Sequence, residues 1–200
     1  MLSLPKDHDT SLEVLLISNL VTYLMVEFGQ QDVSVLMWIY YFQTLVIGLF
    51  SAFRILSISN FTTEGTSVMG RELEDNFVSK LQLVFFFALH FGLFSIGVYQ
   101  GLNSILPRGF EQLSRDSLIF VAAGVWLFFL NHLYSYLVNP KPSHKVNIGT
   151  MTLEPYLRII PIHIITSLGA ISSLPMLIFF LLKALFDATA HATKRYHGLS

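Results

Sequence analysis

Cysteine is absent from the chain, which rules out disulfides, thiolate ligands and iron–sulfur clusters while saying little about compartment. Charge is scarce: only 12% of the residues are Asp, Glu, Lys or Arg, and the formal net charge of −1 provides no basic face for nucleic acid. No alanine precedes Ala52, and the leading stretch from Met1 to Thr10 is mixed in charge rather than basic, so a cleavable signal peptide is not expected. The first apolar stretch is therefore read as a helix of the mature protein. Internal repeats, a Walker-type glycine loop, a nucleophile elbow and a helical metalloprotease motif are also missing.

What remains is apolar. Hydrophobic residues make up 53% of the chain, and the mean hydropathy is +0.60, values that belong to a polytopic membrane protein rather than an ordinary soluble domain. At roughly 20 residues per spanning helix, a chain of 200 residues holds about six spans and no separate soluble domain, so residues 1–200 are read as one integral membrane domain. The predicted spans are Leu12 to Phe28, Val33 to Ile55, Val78 to Gly101, Ser117 to Val138, Tyr156 to Ile171 and Leu174 to Ala192. The first is short and carries Glu13, Asn19 and Glu27. The stretch from Tyr156 to Ala190 would extend about 50 Å as one helix, well beyond the roughly 30 Å hydrocarbon core. Ser172, Ser173 and Pro175 supply a break, giving two short last helices joined by a tight turn. The fold class expected is an all-α membrane helix bundle.

Lys and Arg then fix an orientation. Under six spans, Lys6, Arg54, Arg71, Lys80, Lys141, Lys145, Arg158, Lys183, Lys194 and Arg195 fall on one side, and only Arg108 and Arg115 on the other. Ten against two, accounting for all twelve, predicts a multi-pass protein of the cell inner (plasma) membrane with both termini in the cytoplasm. Arg54, Arg158, Lys183 and Lys80 are expected to snorkel from cytoplasmic helix ends to the headgroups. The Ser57 to Phe77 connection reads as a solvated tether or a short surface helix, the Asn139 to Pro155 connection as an extended chain, and Asp116 or Ser117 as the N-cap of the fourth span.

Four histidines and an aspartate lie inside these apolar segments: His90, His132, His163, Asp187 and His191. Ionisable groups at bilayer depth are costly and usually mark a functional site or a specific buried network. Placed in the six-span topology, His132, His163, Asp187 and His191 share the cytoplasmic half, with His90 deeper. Lys183, Asp187 and His191 recur at i, i+4 and i+8 on one stripe, and His132 has Ser135 and Asn139 on its own face. Several imidazoles with one carboxylate suit a transition metal such as zinc, iron, copper or manganese. Asp187 could instead orient a ligating His132 or His163, and a haem held by two histidines is the less attractive variant because of the buried carboxylate. Arg158 or Lys183 pairing with Asp187 would weaken the case for that carboxylate as a ligand. Tyr40, Tyr41 and Gln43 are potential hydrogen-bond suppliers to the cluster, unless Trp38 and the tyrosines form an interfacial belt.

The competing expectation is a hydrogen-bonded network that only locks helices together. The protein would then be an accessory or structural subunit, packed against other membrane subunits or a second copy of itself. A proton-coupled carrier is a third class, and an enzyme using a metal with one open position a fourth. No reaction or substrate follows from the residues alone.

The stretches WIYYFQTLVIGLFSAFRIL, FFFALHFGLF, NHLYSYLVN, PYLRIIPIHIITSLGA and LLKALFDATAH resemble a prokaryotic multi-pass membrane-protein family filed as a domain of unknown function (number 6498). The resemblance implies a small multi-pass protein and coincides with His90, His132, Ser135, Asn139, Tyr156, Arg158, His163, Gly169, Lys183, Asp187 and His191. A further histidine that relatives show one or two turns after His90 is replaced here by the Gly97–Val98 region. If that histidine is a ligand, this chain lacks one.

Overall fold

A computed structural model describes residues 10–138, 145–153, 155–156, 159–160, 162, 164 and 176–196. The described chain is predominantly helical. Its helices are α1 (Thr10–Phe28), α2 (Val33–Ser57), α3 (Phe77–Ile105), α4 (Arg115–Val138), the single turn α5 (Ile148–Met151) and α6 (Met176–Tyr196). Three of them, α2, α3 and α4, are long and apolar enough to cross a membrane. Of the predicted fifth span only Tyr156, Ile159, Ile160, Ile162 and Ile164 are described, and the Ser172 to Pro175 break lies outside the described residues.

Local signals explain where the helices start and stop. Asp32 caps α2 by accepting from Ser34 N at 2.8 Å, and Asn76 caps α3 by accepting from Ser79 N at 2.8 Å. Ser114, not Asp116 or Ser117, caps α4: its Oγ accepts from Ser117 N at 3.1 Å. Helix α4 begins at Arg115, two residues earlier than expected, which moves the cap upstream. The α1–α2 turn is a Schellman closure, with Gln31 N donating to Val26 O and Gln30 N to Glu27 O. Gln30 takes the left-handed position there, at φ 52°.

Helix α2 is the central strut. Its side chains from Ser34 through Tyr41 are all buried, because α1, α3 and α4 pack around it. One end of the bundle gathers the α1–α2 turn, the start of α4 and the segment after α3. There Arg108 pairs with Asp32 at 2.5 Å, and Ser117 Oγ donates to Gln31 Oε1 at 2.7 Å. Trp38 is sealed beneath this end. Its Nε1 donates to Arg108 O at 3.4 Å, and its ring meets Tyr41, Tyr99 and Phe110. It is thus a core residue rather than part of an interfacial belt, because α3 and the Phe110 turn close over it.

At the opposite end the Ser57 to Phe77 connection is built into short strands, which corrects the expectation of a tether or surface helix. Strands β1 (Phe61–Thr62), β2 (Ser67–Val68) and β3 (Arg71–Glu72) lie between α2 and α3, and β4 (Val146–Asn147) follows α4. β2 and β3 form an antiparallel hairpin turning on Met69 and Gly70, at φ 52° and 77°, the two positive values that a type I′ turn needs. β1 pairs in parallel with β4, joining two loops distant in sequence. Ile55, Ile58, Leu83, Val146, Ile148 and Met151 form a separate small core beneath this clasp.

Lys80 was expected to snorkel. It is buried instead, donating from Nζ to Ile58 O with its ammonium 4.2 Å from the centre of the Phe61 ring. The clasp folds over the start of α3 and leaves that side chain no path to the headgroups.

Candidate functional site

Three buried stripes meet along α1, α2 and α6. On α1 the buried positions Leu15, Ser18, Asn19, Thr22 and Val26 follow helical spacing. On α6 they are Phe179, Lys183 and Asp187, at i, i+4 and i+8. Tyr40, Gln43 and Thr44 form one face of α2, and all three are buried. Tyr23 stacks on Phe180 with centroids 5.0 Å apart, while Asn19 meets Asp187, so α1 and α6 run antiparallel.

At the centre lies an ion pair. Lys183 Nζ donates to Asp187 Oδ2 at 2.5 Å, and Asn19 Nδ2 donates to the same oxygen at 2.8 Å. Lys183 is 3% exposed and Asp187 0%. The ammonium also stands 5.5 Å from the centre of the Tyr40 ring, within reach of its negative face. Lys183 therefore does not snorkel. It was expected to snorkel from a helix end, but Asp187 and the Tyr40 ring hold it inside the bundle, and α6 continues to Tyr196, past the expected end at Ala192.

The same extension moves Asp187 away from the loop end. Its partner Asn19 is about 14 Å from the Phe28 end of α1 at 1.5 Å per residue. His132 is about 26 Å from the Arg115 end of α4 by the same rise, and those two helix ends share one side of the bundle. The two groups differ in level by roughly 12 Å. His132 stacks on Phe50 with the rings inclined by 28° and centroids 6.0 Å apart, and Ser135 follows it one turn along α4, half-buried.

His90 is on the outer side of α3. Its ring is exposed and stacks on Phe86, and its Nδ1 is 2.7 Å from Tyr156 Oη. Tyr156 itself sits against Phe87, Phe91 and Phe94. His163, Asn139 and Arg158 lie outside the described residues, as does the side chain of His191. Among the described residues, no group of three or more His, Cys, Asp or Glu side chains could hold a metal ion. The described members of the predicted set thus occupy separate places, and Asp187 Oδ2 already holds an ammonium and an amide.

A second charged centre lies in the clasp. Asp75 Oδ2 receives Lys145 Nζ at 2.7 Å, and its Oδ1 receives Thr63 N at 2.6 Å. The Lys145 ammonium, then the Thr63 amide, hold the Asp75 carboxyl well below the usual carboxylate range.

Asn19 is the residue that the sequence reading underrated. It counted against the first span, although an amide in the middle of an apolar helix itself calls for a partner on another helix. The clasp gave no comparable signal, since strands of two residues are too short to show a period.

A family model matches residues 1–199. The chain belongs to the family of unknown function DUF6498. The fragments WIYYFQTLVIGLFSAFRIL and FFFALHFGLF lie in α2 and α3 of this family member, and residues 131–138 of NHLYSYLVN lie in α4. No curated protein and no solved structure matches the chain.

Proposed function

We propose that this DUF6498 protein is a multi-pass protein of the cell inner membrane with about six spans and both termini in the cytoplasm. Its charged seam acts as a helix lock, and the protein serves as a non-catalytic accessory or structural subunit of a larger membrane assembly. The observation that carries this reading is the neutralisation of Asp187 by Lys183 on its own helix together with the hydrogen bond that Asn19 donates to it from α1. A carboxylate engaged in this way is a poor metal ligand and a strong tie between α1 and α6. Breaking one side of a buried ion pair strands a charge and costs about 3–5 kcal/mol.

The orientation rests on charge. With Lys183 in the seam, nine cations remain on the proposed cytoplasmic side against Arg108 and Arg115 on the other. The clasp supports it, since the pairing of β1 with β4 needs those two loops on one side. The subunit role is supported by the outer faces of α3 and α4, where Phe85, Leu89, Leu93, Ile119, Trp126 and Leu130 are exposed. Such a surface suits lipid, another membrane subunit or a second copy of the chain.

The rival is a transition-metal centre built from His132, His163, His191 and Asp187, with His90 as a further donor. Metal analysis of the purified protein separates the two, alongside sizing in mild detergent. The lock predicts less than stoichiometric metal, and Lys183→Ala lowering thermal stability and assembly together. Stoichiometric metal in the wild type, lost in His132→Ala or Asp187→Asn, would replace the lock with the metal centre.

A further inference from the structure

The seam contains more polar capacity than its ion pair uses. Among the described residues, Asn19 Oδ1, Tyr40 Oη and both Gln43 side-chain atoms are buried without a hydrogen-bond partner. Asn19 and Gln43 are 0% exposed and Tyr40 is 1% exposed. Native proteins rarely leave one such group unmatched, and three on adjoining helices point to something that matches them.

Their positions coincide with the ion pair. Tyr40 lies beneath Lys183. Gln43 follows Tyr40 on the same face of α2, about 4.5 Å further toward the clasp, and Asp187 follows Lys183 by about 6 Å in the same direction. Gln43 is thus level with Asp187, and Asn19 reaches that level from α1. The hydroxyls nearby donate to their own helices: Ser18 to Val14 O, Thr22 to Ser18 O and Thr44 to Tyr40 O. Each hydroxyl keeps its acceptor lone pairs.

We propose that this seam holds a cluster of ordered water molecules that hydrates the Lys183–Asp187 pair from within. The chemistry selects water. Gln43 needs partners that both donate and accept, Tyr40 needs either, and Asn19 Oδ1 needs a donor. An apolar guest would satisfy none of them. A metal ion would face the Lys183 ammonium and leave the Gln43 amide N–H groups unmatched. Water satisfies all three and fits the usual requirement of two to four polar partners. This inference concerns the same seam as the proposed lock but does not depend on it, since a lock can be wet or dry.

Radiolytic hydroxyl-radical footprinting of the full-length protein in nanodiscs, read by mass spectrometry, tests the inference. Radicals form from water at the site, so a buried side chain beside bound water is modified while a dry one is spared. Trp38 is an internal control, because it is equally buried on the same helix and its Nε1 is bonded to Arg108 O. Tyr40 should be modified several-fold faster than Trp38, although indole is the more reactive ring. In Gln43→Leu the Tyr40 rate should fall several-fold with Trp38 unchanged. Tyr40 modified no faster than Trp38 in the wild type would overturn the proposal, and so would a Tyr40 rate insensitive to Gln43→Leu. If Gln43→Leu does not fold, the wild-type ratio decides alone. A dry result leaves the locking role standing, because that role is read from thermal stability.

Discussion

Between α2 and α3 the contact is apolar and aromatic, with Phe91 against Gly48 and Trp38 among Tyr41, Tyr99 and Phe110. Between α1, α2 and α6 it is charged, with Lys183 and Asp187 buried beside Asn19 and Tyr40. Helices in lipid gain little from excluding water and must associate through close packing or polar ties. The two regions use one each. Packing by shape tolerates small changes by shifting, whereas a buried charge has no substitute partner once its own is removed.

Taking away one member of the ion pair should have the largest effect. Lys183→Met or Asp187→Leu alone should destabilise the protein by about 3–5 kcal/mol, measured by thermal or denaturant unfolding in detergent. An equal change in the aromatic region should cost less. Gly48→Ala would drive a Cβ into the Phe91 ring and should cost about 1–3 kcal/mol through overpacking, checked by the same unfolding measurement. An effect as large as that of the charge substitutions would erase the distinction.

The loop clasp gives the smallest effect and sharpens the contrast by setting a wet ion pair against a buried one. Asp75 is ionised more readily in the folded chain than when unfolded. Its contribution is therefore complete above the ordinary carboxylate value of about 4 and is lost as pH falls through the lower folded value. Amide exchange at Val146, whose N–H bonds Asn60 O at 3.2 Å, should quicken in acid. Asp75→Asn should reproduce part of that change at neutral pH. Both effects should shrink with salt, because Lys145 and Asp75 are 55% and 39% exposed.

Hydropathy was enough to delimit α2, α3 and α4, since apolar runs of this length have few alternatives. The spacing of Lys183 and Asp187 was enough to put them on one face. Their depth was not legible, because it depends on how far α6 continues past Ala192, where the sequence turns polar without a stop signal. Lys80 shows the same limit. A lysine near a helix end snorkels by default, and only the clasp packed over Phe61 and Ile58 redirects it. The clasp itself joins Phe61 to Val146, a long-range pairing that no local pattern announces. Tyr40 and Gln43 were recognisable as hydrogen-bonding groups inside a span, but their neighbour Lys183 could be found only once α6 was set against α2.

A double-mutant cycle across Lys183 and Asp187 reads most directly the claim that the seam's stability rests on a buried charge pair compensated from within. Each single substitution, Lys183→Met and Asp187→Leu, should lower unfolding stability strongly. The double variant should regain most of the loss, because no unpaired charge remains in the core. Additive losses in the double variant, or single variants as stable as the wild type, would contradict the account.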